Sequence, residues 1–186
     1  MDFRLIRSRR KTVGMRISED GTLVVRAPLR MPESGILEIL ERHRSWIEAK
    51  KEKVLAAAPA PSELLSPEQL RTLTEQAATA LPALTARYAR QLGLEYGKIT
   101  IRCQRTRWGS CSARGNLSYN CLLMLCPPEV AEYVVVHELC HRIHMDHSPA
   151  FWARVEKVLP DYRRPRNWLR VNGLSVMNRV PRASEQ

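Results

Sequence analysis

Five consecutive residues, His137-Glu138-Leu139-Cys140-His141, constrain this chain more than any other feature of its 186-residue sequence. In a helix, residues four apart lie on one face, so His137 and His141 can offer two imidazoles to one metal ion. Glu138 follows the first histidine and projects beside the pair, where it can hold a water without occupying the ion. Zinc lowers the pKa of a bound water to about 7, within reach of a carboxylate base at neutral pH. H-E-x-x-H therefore reads as the centre of a zinc-dependent hydrolase, with Glu138 as the catalytic base. The competing account is an amphipathic helix with two satisfied histidines. Val134-Val135-Val136 runs directly into the motif and indicates a buried helix. Burying two histidines and a glutamate there without a shared task would be costly.

A catalytic zinc site takes three protein ligands and keeps one position open. His144 and His147 compete for the third place. On a continuing helix His144 would stand about 10 Å along the axis from His137, too far for three rings to converge. His147 falls just before Ser148-Pro149, a helix start. A chain reversal there would swing it back over the ion, so His147 is taken as the third ligand. The spacing matches H-E-x-x-H-x-x-G-x-x-H, except that His144 stands where that pattern has its turn glycine. Histidine tolerates positive φ better than most residues. Met177 reads as a core methionine rather than part of a Met-turn.

The rest of the chain alternates short strands with helices. Phe3–Ile6, Thr12–Ile17 and Thr22–Arg26, with a turn at Glu19-Asp20-Gly21, read as a small β-meander. Residues 33–56 carry apolar positions at helical spacing and read as one helix. An Ala/Pro-rich linker follows from Ala56 to Pro61. Ser66-Pro67-Glu68-Gln69 has the form of a capping box, opening a helix that runs to about Leu92, kinks at most at Pro82 and stops at Gly93. Residues 98–104 and 117–123 read as strands separated by a turn-rich stretch from Gly109 to Asn116. Pro127-Pro128-Glu129 opens the motif helix, which extends to about His144. One further helix runs from Ser148-Pro149 to Leu159-Pro160. Another, capped by Asp161, ends at Asn172-Gly173. The tail after Val180 reads as mobile. Two regions result, 1–57 and 62–180, expected to form one compact unit.

Composition narrows the setting. A hydrophobic fraction of 44% supports a real core. The five cysteines contain no C-x-x-C pair, which argues against a disulfide framework or a cysteine-based zinc knot. No segment has the apolar length to span a bilayer, and the first residues lack the apolar core of a secretory signal. These features read as a cytoplasmic protein. The net charge is +11, with clusters at Arg7–Lys11, at Arg102/Arg105/Arg107 and at Arg163/Arg164/Arg166/Arg170. They suit either a solvated basic face or weak binding of nucleic acid and other polyanions.

Several further motifs stand in order along the chain. They are Arg107-Trp108-Gly109-Ser110-Cys111-Ser112, Asn116-Leu117 with Asn120, the stretch from Tyr133 through His141, His147-Ser148-Pro149-Ala150-Phe151-Trp152, and Pro160-Asp161-Tyr162. Together they resemble the YgjP-like family of metal-dependent hydrolases, related to the SprT and WLM metallopeptidases. That resemblance covers about residues 10–172. It implies an α+β, zincin-like fold: a small β-sheet packed on a central H-E-x-x-H helix with additional helices, beside the N-terminal β-meander. It also implies one Zn2+ on His137, His141 and His147, with Glu138 as general base or acid. The His-Ser-Pro-x-Phe-Trp run supports His147 independently of spacing.

Around this centre, Arg107, Trp108, Ser110, Asn120 and Tyr162 are candidate substrate-binding residues. Trp108, Gly109 and Ser110 could sit at a strand end near the cleft and position an extended substrate added to a sheet edge; their structural alternative is a packed tryptophan with a tight turn. Arg107 could meet a carboxylate or phosphate. Tyr162 could donate to an oxyanion or simply pack on the last helix. The expected function is a metallopeptidase in which zinc-bound water, activated by Glu138, attacks the carbonyl of a peptide or protein substrate. The family resemblance carries two alternatives. One is a UTP pyrophosphatase using the same zinc, with arginines holding the nucleotide phosphates. The other is a SprT-like protease acting on DNA-bound proteins.

Overall fold

The computed structural model describes residues 2–18, 21–56 and 64–181. The chain divides into two compact units, residues 1–58 and 59–186. Glu19 and Asp20 of the expected turn, the linker beyond Ala56 up to residue 63, and the tail from residue 182 lie outside the described residues. No helix among the described residues is long and apolar enough to cross a membrane.

In the first unit β1 (Phe3–Ser8), β2 (Gly14–Ile17) and β3 (Leu23–Pro28) form one sheet in the order β1-β3-β2. β3 runs parallel to β1 and antiparallel to β2. The expected meander is therefore corrected: the last strand lies between the first two. Leu23, Val25 and Ala27 are fully buried, and the most apolar strand takes the position where both backbone edges are paired. The single helix expected over 33–56 is two, α1 (Glu33–Arg42) and α2 (Arg44–Ala56). The chain leaves helical geometry at His43, with φ −106° and ψ 15°. No glycine or proline marks that break.

The second unit begins with α3 (Pro67–Leu92), which runs through Pro82. Ser66 and Gln69 form the reciprocal capping box, and Gly93 closes the helix in the left-handed region at φ 65°. β4 (Ile99–Arg102), β5 (Gly109–Cys111) and β6 (Leu117–Asn120) form a sheet in the order β4-β6-β5. β5 falls in the stretch expected to be turn alone. β6 ends sooner than expected because the Asn120 side chain accepts from Leu122 N–H and starts a 3-10 helix, Cys121–Leu125.

α4 (Pro128–Cys140) carries the histidine motif and is buried on nearly every side. It touches α3, β5, α5 (Pro149–Val158) and α6 (Arg163–Asn178). It stops at Cys140 rather than near His144. α6 starts after Tyr162, without a cap from Asp161, and continues past Gly173. That glycine is there for packing: a Cβ on it would sit 3.2 Å from the Trp108 indole nitrogen.

Candidate metal centre

His137 in the last turn of α4 and His141, the residue that caps it, stand with their Nε2 atoms 3.3 Å apart. His147 returns from the loop before α5 and puts its Nε2 3.1 Å from that of His137. The three candidate ligand atoms all lie within 4.8 Å of one another. Metal–nitrogen bonds of 2.0–2.1 Å in a tetrahedron give nitrogen–nitrogen edges of about 3.3 Å. The donor set therefore fits a zinc ion in kind and spacing. Three imidazole nitrogens facing one another otherwise leave lone pairs in mutual repulsion.

Neighbouring groups act on each of these rings. His141 Nδ1–H donates to the His144 carbonyl at 2.9 Å, which leaves its Nε2 lone pair toward the cluster. Burial, then the charges of His141 and His147, push His137 down to about 3, so its ring stays neutral. Burial likewise lowers His147, followed by the charge of His141. The Phe151 ring lies 4.6 Å from His141 and 4.9 Å from both His137 and His147, forming a floor under all three. Ser148 fixes that floor. Its hydroxyl caps α5 by accepting from Phe151 N–H, and its own N–H donates to Asp146.

His144 supplies a carbonyl to the cluster. No non-glycine residue described has positive φ, so His144 does not reproduce the turn glycine it replaces.

Glu138 is 6% exposed, and burial raises its carboxyl to about 8. Gly109, at the start of β5, lies against it: a Cβ there would fall 2.7 Å from Glu138 Oε1. Only glycine lets the strand come this close. His137, Glu138, His141 and His147 open on a cleft of about 290 Å³. Arg107, Gly109, Ser110, Cys111 and Met145 also line it.

Trp108, Asn120 and Tyr162 do not line that cleft. Trp108 packs on α6 beside Gly173. Asn120 is fully buried and donates to the carbonyls of Gln104, at 2.6 Å, and Arg107, at 2.9 Å. Tyr162 stacks on Trp152 at 5.4 Å and on Tyr133 at 6.5 Å. It borders a separate cavity with Glu129 and Pro160. Sequence reasoning missed Met145, which has no distinguishing pattern. The contact of Gly109 with Glu138 has no signal in the sequence, where that glycine reads as part of a turn-rich stretch at a strand end.

Three imidazoles converging beside a buried carboxylate form a donor set of the kind that metal-dependent hydrolases use. The model of the YgjP-like, metallopeptidase domain family matches residues 11–73 and 70–172, and the chain belongs to that family. It is accordingly a zinc-dependent hydrolase of metallopeptidase type. The crystal structure of the metallopeptidase zymogen of Pyrococcus abyssi abylysin is similar over 50% of this chain and 95% of that one. Its TM-score is 0.44, at 24% identity. No curated protein matches the chain.

Proposed function

We propose that His137, His141 and His147 hold one zinc ion and that Glu138 is the acid–base group of peptide-bond hydrolysis in a zincin-like domain spanning residues 62–180, with 1–57 as an accessory region. The observation that carries this reading is the gathering of the three histidine ligand atoms within 4.8 Å of one another beside Glu138, with His137 Nε2 at tetrahedral-edge distance from both of the others. Zinc bound there supplies polarisation of the peptide carbonyl and acidification of the attacking water. Glu138 takes the water's proton and returns it to the departing amine nitrogen. β5 pairs with β6 alone among the described strands and lines the cleft, so its free edge suits an extended peptide. The family match implies a peptide or protein substrate and lends no support to a nucleotide or nucleic acid.

Metal retention tests the ligand set. After dialysis against a mild chelator, His147→Ala loses zinc as His137→Ala and His141→Ala do, while His144→Ala retains it. Zinc kept by His147→Ala and lost by His144→Ala would overturn the assignment.

A further inference from the structure

The arginines of the cleft wall and of α6 divide into two kinds. Arg163 pairs with Glu156, Arg164 approaches Glu129 at 3.8 Å, and Arg170 bonds Asn167. Arg107 and Arg166 have no acidic partner among the described residues, and both are exposed. Arg107 lines the metal cleft. Its backbone carbonyl accepts from Asn120, which fixes where that side chain begins. The Arg166 guanidinium lies over the Trp152 ring at 4.2 Å. Trp152 in turn stacks on His147, with ring centres 5.7 Å apart and planes 27° apart. Joined end to end, those distances put the guanidinium within about 10 Å of the His147 ring. A guanidinium resting on an indole face is pre-organised and keeps its N–H edge free for a bidentate carboxylate. Among the described residues Glu138 is the one carboxylate lining the cleft, and it is buried.

We propose that Arg166 and Arg107 select peptides carrying an aspartate or glutamate side chain within about three residues of the scissile bond. An extended chain advances about 3.3 Å per residue, so a span of about 10 Å corresponds to that many positions. The inference rests on the peptidase reading of the site and adds a substrate class to it.

Binding separates this inference from the peptidase reading, because it needs no turnover. Zinc-loaded Glu138→Gln is titrated with two peptides that differ only in Glu against Gln at the flanking positions. The acidic peptide is expected to bind roughly tenfold more tightly, an advantage that charge-assisted hydrogen bonds can supply. Arg166→Ala brings the ratio toward one, and Arg166→Glu reverses it in favour of a Lys-containing peptide. Equal affinities for the first pair, or a preference untouched in Arg166→Glu, would overturn the inference. So would tight binding of UTP or a single-stranded oligonucleotide with none of the acidic peptide. If the preference holds but zinc-loaded wild type cleaves neither peptide, the peptidase reading fails and the binding inference stands.

Discussion

Glu138 is a carboxyl group whose burial has a measurable consequence in the metal-free chain. Its folded value, about 8, lies above the ordinary carboxylate value. Its contribution to stability is thus fully present below that ordinary value and is lost as pH rises through about 8. His137 behaves oppositely. With a folded value of about 3, its contribution is present above the ordinary imidazole value, about 6.5, and lost as pH falls through 3. Metal-free Glu138→Gln should therefore melt several degrees above metal-free wild type at pH 8.5, with the gap shrinking toward pH 5. Thermal denaturation in chelator checks this, and a gap independent of pH would contradict it. At this scale much of the site is legible in the sequence. Helical spacing pairs His137 with His141, and Ser148-Pro149 marks where the chain returns His147. Arg166 is not legible, because its seat on Trp152 joins two different helices.

Among the elements, β6 and its terminal Asn120 decide how the cleft wall is hung. Asn120 donates to Gln104 and Arg107 and accepts from Leu122, with no exposure to water. Its backbone N–H also reaches the Trp108 carbonyl at 2.9 Å, just before β5 begins. Asn120→Ala leaves the two carbonyls and one N–H unsatisfied. It should cost on the order of 2–4 kcal/mol, read by denaturant titration, with loss of activity because Gly109 no longer holds against Glu138. A change below about 0.5 kcal/mol would show that these bonds carry no weight. Helix ends written in side-chain chemistry could be read directly, as Ser66, Gln69 and Gly93 show for α3. Ends set by packing could not. Gly173 resembled a stop but makes room for Trp108, and the break at His43 has no local marker. β5 is three residues long and exists through its pairing with β6.

For the molecule as a whole, strand order follows burial more than sequence adjacency. In each sheet the last strand in the chain, β3 or β6, is the most buried and lies between the other two. Consecutive hairpins are the simplest guess from a sequence, and only tertiary burial corrects it. The same burial shapes the candidate site. α4 is surrounded by its neighbours, so Glu138 and His137 are withdrawn from water while β5 leaves one side open. A buried carboxylate, converging imidazoles and a free strand edge are together what the proposed peptide hydrolysis requires. The most direct test compares wild type with Glu138→Gln, both with zinc quantified at one equivalent, on a panel of unstructured peptides. The account predicts cleavage by wild type and a loss of at least about a thousandfold in Glu138→Gln at equal metal content. Cleavage by Glu138→Gln at the wild-type rate, or none by zinc-loaded wild type across the panel, would contradict it.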